Sequence, residues 1–225
     1  MNRTRTPYIP ALRYAWLTAL YDPLLQVTLR EYTFKLRLIE QAAIQQGCNL
    51  LDLGCGTATL TLLVKRLHPE TQVVGLDADP KALEIARAKR AQSRLDVGLD
   101  LGLSMKLPYP DCYFDRVLSS LFFHHLTTEN KRRTLEEIFR VLRPTGELHV
   151  ADWGKAQNSL MRAAFLLVQM LDGFETTSGN VRGELLDTFR SAGFQDVSET
   201  CRYMTVFGTL SLYQARKPGL RCSEV

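Results

Sequence analysis

The sequence has no closely spaced cysteine pair, no long apolar run and no block of one charge, and each absence removes a class of protein. Its five cysteines, at 48, 55, 112, 201 and 222, form no CxxC pair and are odd in number. With only four histidines, two of them adjacent, no zinc spacing emerges. No metal is expected, and the thiols are expected to be reduced and mainly structural. The longest apolar stretch, Ala163 to Leu171, is broken by Gln169 and is far shorter than the roughly 18 residues that span a bilayer. ALRYAWLTAL near the N-terminus contains Arg13 and no clear apolar centre, so neither a transmembrane segment nor a signal peptide is expected. A cytoplasmic location follows as the expectation. The formal net charge is only +4, and the basic residues are scattered without interleaved aromatics, so no nucleic-acid partner is expected.

What is present suits one soluble unit with room for an added cap: 225 residues, 45% hydrophobic and 23% charged. Residues 1–46 are expected to form an arm and a helical cap, and residues 47–225 the main domain. The arm leads into ALRYAWLTALY, dense in aromatics, then a break at Asp22-Pro23. A helix is predicted from about Leu24 to Gln45, with Leu25, Leu29, Tyr32, Leu36, Ile39 and Ala43 on one face.

From Asn49 onward strands and helices alternate, the pattern of a mainly parallel sheet covered on both faces. Strands are predicted at 49–53, 72–76, about 95–101, 114–119 and 147–151. Helices are predicted at 58–68, after Asp79-Pro80, at about 128–142 where Pro144 stops the helix, at 159–171 and at 183–192. Two extended runs, 197–207 and 209–216, meet at Gly208 as an antiparallel hairpin.

The chain is organised around LLDLGCGTATL, Leu50 to Leu60, which reads as strand, tight turn, helix. Glycines at 54 and 56 let the backbone bend through positive φ and pass close to a ligand. The turn opens onto a helix start, whose unpaired N–H groups can meet a polar group. The dinucleotide fingerprint GxGxxG would need glycine at 59, where Thr59 stands, so the pyrophosphate-binding version is not matched. Asp77 ends the next apolar run, where the ribose of a nucleoside ligand would lie.

DLGCGT, GLDADP, LPYPDCYFDRVLSSLFFHHL and EIFRVLRPTGELHVADWG, in this order between about Asn49 and Trp153, resemble the class I S-adenosylmethionine-dependent methyltransferases. The similarity is to the branch acting on small molecules, with ubiquinone and menaquinone biosynthesis methyltransferases among its relatives. It implies a Rossmann-like seven-stranded, mostly parallel sheet with a C-terminal antiparallel hairpin, helices on both faces and an N-terminal helical cap. It also implies S-adenosylmethionine as methyl donor, S-adenosylhomocysteine as product and a small-molecule acceptor such as a quinone, phenol or lipid precursor. A silent module that binds the cofactor and acts through a partner is the alternative. Monomer and homodimer are both left open.

On this resemblance the cofactor falls to Asp52, Gly54, Cys55, Gly56, Thr57, Asp77, Ala78, Ser104, Met105 and Ser119. Asp52 would fix the loop or accept from the donor's amino group, and Thr57 would contact the ligand or cap the following helix. Asp77 would accept both ribose hydroxyls, with the Ala78 backbone beside the adenine. The chain departs from the family at Ala58, where a third glycine is usual, and at Leu103, where an acid commonly receives the adenine amino group. Adenine recognition then rests on the backbone near Ser104 and Met105, on apolar contact, or on Asp100. Candidate catalytic groups are His124 and His125, with His124 marginally preferred as base; ordering of the loop is the competing role. Tyr14, Trp16, Phe123 and Asp152 are candidates to line the acceptor, although the aromatics could equally be core and Asp152 could cap the next helix.

Overall fold

The computed structural model describes residues 31–172 and 183–219. The predicted aromatic helix with Tyr14 and Trp16, and the arm before it, lie outside these residues. The described elements run α1 (Glu31–Gln41), β1 (Asn49–Leu53), α2 (Thr59–Leu67), β2 (Gln72–Asp77), α3 (Pro80–Ser93), β3 (Gly98–Leu101), β4 (Phe114–Ser120), a 3-10 turn (Phe123–His125), α4 (Thr128–Val141), β5 (Leu142–Trp153), α5 (Ser159–Asp172), α6 (Leu185–Ser191), β6 (Gln195–Thr205) and β7 (Gly208–Arg216).

The strands form one seven-stranded sheet in the order β3-β2-β1-β4-β5-β7-β6. The first five in this order are parallel, and β7 joins β5 antiparallel with β6 outside it. The Rossmann-like expectation, including the terminal hairpin, is met. The order reverses between β1 and β4, so their carboxyl ends frame the crevice in which open α/β sheets hold ligands.

Two apolar clusters cover the faces. One gathers Leu50, Leu60, Leu63, Leu83, Leu118 and Trp153 with Phe34 and Leu38 of α1. The other gathers Leu51, Leu53, Val117, Ile138, Val150 and Phe189. Odd and even positions of β1 thus go to opposite cores, which is why the strand is apolar after Asn49 apart from Asp52.

Helix α1 turns a different face inward from the one expected. Phe34, Leu38, Ile39 and Ala42 are buried together with Glu31 and Lys35, which pair with each other, whereas Tyr32 is 63% exposed. The helix also stops earlier, because Ala43 is left-handed at φ 44. Its last residue, Gln41, donates to His149 Nδ1 at 3.0 Å and to the Tyr213 carbonyl at 3.0 Å, which ties α1 to the middle of the sheet. Helix α4 ends at Val141, before Pro144, as expected, but β5 begins at once rather than at Glu147: Leu142 pairs with Phe114, and the register resumes at Arg116 and Glu147 after an irregularity. Cys48, Cys55 and Cys201 are free thiols. Cys112 is disulfide-bonded, which corrects the expectation that all five cysteines are reduced.

Leu118 is fully buried opposite Asp52 at the centre of this arrangement. Leu118→Ala is expected to cost about 2–5 kcal/mol of unfolding free energy. Urea denaturation checks it, and a loss below ~1 kcal/mol would mean the core is not organised around this strand pair.

Candidate active site

The glycine turn is held from below by the end of β2. Gly54 N and Cys55 N both donate to the Leu76 carbonyl, at 2.9 and 3.1 Å, and Gly56 N donates to Asp77 Oδ2 at 2.7 Å. The other oxygen of Asp77 accepts from Asp79 N at 2.8 Å, so the carboxylate joins the turn to the start of α3. There Asp79 caps the helix by accepting from Lys81 N. Burial pushes the Asp77 pKa up, and these amide bonds oppose the shift. A carboxylate has about four lone-pair positions; Gly56 N and Asp79 N occupy two, the Ala78 backbone also acts on the group, and acceptor capacity remains for a diol hydroxyl.

Backbone conformation explains the residue types in the turn. Gly54, Gly56 and Ala58 have φ of 71, 53 and 61. A Cβ placed on Gly54 would stand 2.4 Å from two ring carbons of Phe122, so here the glycine makes room for an aromatic side chain. Gly56 faces open space: a Cβ there meets nothing within 4 Å. Ala58 replaces the family's third glycine while keeping a left-handed backbone, at a cost on the order of 1 kcal/mol. It also takes the N-cap position of α2, so Thr57 does not cap that helix. Thr57 Oγ1 instead accepts from Lys89 Nζ at 2.8 Å.

Asp52 lies under the turn and is 1% exposed. Thr61 donates to its Oδ2 at 2.6 Å, while its Oδ1 has no hydrogen-bond partner among the described residues. Burial raises its pKa to about 6, against the pull of Thr61 and of Lys35 on α1. An orphaned carboxylate oxygen asks for a donor or a cation. The open space at Gly56, the spare positions on Asp77 and this unsatisfied oxygen all fit a ligand with an ammonium group and a ribose. The Cys55 thiol is buried and pushed well above its ordinary pKa by that burial and by Asp52, which suits a space-filling role.

Among the other expected cofactor residues, the hydroxyls of Ser104 and Ser119 are engaged within the protein. Ser104 Oγ shares a 2.8 Å hydrogen bond with Thr134 of α4, and Ser119 Oγ donates to the Leu53 carbonyl at 2.8 Å. Ala78 and Met105 are partly exposed. Asp100 accepts from the Tyr109 hydroxyl at 2.9 Å.

The turn after β4 completes the edge. Leu121 N donates to the Ala151 carbonyl, and the chain then folds His124 over the end of β5. His124 Nδ1 stands 2.8 Å from Asp152 Oδ1, and both residues are essentially inaccessible. Asp152 also accepts from the amides of His124 and Trp153. Burial pushes the Asp152 pKa up, but His124, the Trp153 amide and Lys131 together hold it below the ordinary value. Asp152 is therefore a buried partner of His124 and not the cap of α5, which Asn158 supplies through Met161 N. The His125 ring lies 3.9 Å from that of His124, is partly exposed, and is kept well below its usual pKa by burial and by His124. Phe123 is fully buried in the core, its ring against that of Phe189. Phe122, which with Phe123 and Trp153 the sequence also offers as a sign of an apolar or planar acceptor, packs on Gly54; sequence reasoning missed two contributors, Lys131, which lies near Asp152, and Lys35, which lies near Asp52. Neither carries a local motif. Among the described residues no group of three or more His, Cys, Asp or Glu side chains could hold a metal ion.

A buried carboxylate with a raised pKa destabilises the folded state once it ionises. The unfolded group titrates near 4 and the folded Asp52 at about 6, so the native state binds the proton more tightly. Stability falls as pH rises from ~4 through ~6, by on the order of 3 kcal/mol from this group. Asp52→Asn should flatten that part of the ligand-free profile in a denaturation series. Parallel profiles for the two proteins would show that Asp52 is satisfied.

A family model described as a methyltransferase domain matches residues 50–146. The chain is 29% identical over 205 residues to a demethylmenaquinone methyltransferase of Symbiobacterium thermophilum, covering 80% of each chain. It is 29% identical to an uncharacterized methyltransferase of Synechocystis sp., covering 91% of this chain and 92% of that one. Further relatives named demethylmenaquinone methyltransferase are matched over about half their own length. Among solved structures, the cyclase SpnF aligns with a TM-score of 0.69 at 21% identity, over 83% of this chain and 81% of that one, a likeness of fold. With the turn, the acid one βα unit later and the seven-stranded sheet all in place, the chain carries a methyltransferase domain of the class I S-adenosylmethionine-dependent kind.

Proposed function

We propose that this protein methylates a small planar acceptor of quinol or phenol type carried on a lipid precursor, with His125 taking the proton that the acceptor gives up. When bound, S-adenosylmethionine supplies an electrophilic methyl group together with its own leaving group. The chain must then provide alignment, exclusion of water and a proton sink. Asp77 would hold the ribose hydroxyls and Asp52 the ammonium end, each with the spare acceptor positions described above.

The observation that carries the reading is the arrangement past β4 and β5. His124 is committed to Asp152 and buried, so it positions its neighbour. His125 is the histidine with an accessible surface, and its depressed pKa keeps it neutral and able to accept a proton. The Asp152 charge favours His125 once protonated. This reverses the marginal preference for His124 as base. The acceptor class is supported by the Symbiobacterium relative, whose name specifies a demethylated menaquinone.

Transfer of labelled methyl to a tail-less 1,4-naphthoquinol tests the reading. His125→Ala is expected to lower kcat by roughly 10²-fold or more while leaving cofactor affinity within twofold. The wild-type rate should hold from pH 8 to 6.5, because the lowered pKa leaves the base form intact there. Absence of transfer to any quinol or phenol, or a His125→Ala rate within twofold of wild type, would defeat it. Separately, Asp77→Ala should weaken S-adenosylmethionine binding at least tenfold in calorimetry, since a hydrogen bond to a charged group is worth roughly 1.5–3 kcal/mol; unchanged affinity would remove Asp77 from the ribose site.

A further inference from the structure

The carboxyl edge of the sheet extends beyond the histidines into an apolar face that the core does not need. Helix α5 starts just past β5 and lies against the turn between β6 and β7. Gly154 N donates to the Thr209 carbonyl at 2.9 Å, and Phe165 is packed so closely on Gly208 that a Cβ there would be 3.0 Å from its ring. Met161, Phe165 and Gln169 fill the inner face of α5 at four-residue spacing. On the outer side Leu160 is 71% and Leu166 42% exposed, and at the hairpin end Met204 is 66% and Val206 63% exposed. Trp153 joins this face to the site, its ring 5.5 Å from that of Phe165 and 6.3 Å from that of His124.

Charge separates the partners that could cover such a face. Residues 153–172, through the end of α5, contain Lys155 and Arg162 and one acid, Asp172 at the last position of the helix, and residues 200–216 contain Arg202 and Arg216 and no acid. Arg202 is paired with Glu199 and Arg216 with Asp196, so Lys155 and Arg162 supply the net charge beside the leucines. Outward leucines and a hydrophobic hairpin end, with Lys155 and Arg162 at the start of α5 and its one acid, Asp172, at the far end of the helix, match the chemistry of an anionic lipid interface, where apolar side chains enter the acyl boundary and cations meet headgroups.

We propose that the face built by α5 and the β6–β7 turn docks on an anionic bilayer surface and brings the histidine edge to an acceptor held in that bilayer. The idea deepens the reading above, since a lipid-borne acceptor is what makes such docking useful. Vesicle co-sedimentation of the full chain tests it independently of turnover. Vesicles of phosphatidylcholine with one quarter phosphatidylglycerol should bind the protein, at least tenfold more tightly than pure phosphatidylcholine at 0.1 M salt, and less tightly at 0.5 M. Leu160→Asp and Val206→Asp, both at exposed positions, should each weaken this at least fivefold while keeping the wild-type circular dichroism and the rate on a tail-less naphthoquinol. Met204→Ser serves as a milder second probe. Binding within twofold of wild type for all three variants, no vesicle binding at all, or a wild-type dimer that Leu160→Asp dissociates would overturn docking. Vesicle binding as expected, with no transfer to any quinol, would support docking and defeat the acceptor assignment alone.

Discussion

The interaction on which the site depends is the clasp between the end of β2 and the glycine turn. One carbonyl, that of Leu76, accepts two successive amides, and the Asp77 carboxylate takes the next one along. Three turn amides are thereby satisfied by residues at the end of a buried parallel strand. The turn then holds positive φ at three of five consecutive residues with these three donors paired. A carboxylate used this way has two tasks at once: it fixes the loop through one side and presents its remaining lone pairs to the crevice. That dual use explains why an acid can be kept partly buried with its pKa raised.

Beneath the clasp the chemistry is deliberately unfinished. Asp52 is buried with one oxygen satisfied and one not, a state that costs the folded protein stability near neutral pH. Such a cost persists where the missing partner arrives with a ligand. The opposite case stands a few residues along the same edge, where Asp152 has a histidine and two amides and its pKa is lowered. The two carboxylates differ in completeness: Asp152 stiffens the turn carrying His124 and His125, and Asp52 keeps one oxygen without a hydrogen-bond partner among the described residues.

Much of this was legible in the sequence for a physical reason. Positive φ and close approach demand glycine, alternation of apolar strands and helices demands a parallel sheet, and Pro144 cannot continue a helix, so these features leave local marks. What stayed hidden lacks such marks. The inward face of α1 was misread because its buried stripe contains Glu31 and Lys35, which look like surface residues until they pair. The start of β5 was misplaced because a strand that contains Pro144 and resumes after an irregularity does not look extended. The joining of His124 to Asp152, 28 residues apart, follows only from the pairing of β4 with β5, and no spacing rule yields it. Likewise Gly54 was read as space for a ligand, and it proved to be space for Phe122, whose contact depends on the turn after β4.

The fold alone leaves the reaction open, since a cyclase shares it at a TM-score of 0.69. What narrows the chemistry here is a hierarchy of exposure along one edge. His124 is sealed, His125 beside it is partly open, and the buried Trp153 ring packs between His124 and Phe165 of the helix whose leucines face outward. A proton acceptor that is neutral because it is half-buried needs a substrate that enters a poorly hydrated place, and an edge continued by exposed leucines is reached most readily from an apolar phase. On the proposed reading, the same burial that tunes the histidine would also select the kind of molecule that can reach it, so acid–base tuning and acceptor choice would be two consequences of one arrangement of water around the carboxyl end of the sheet.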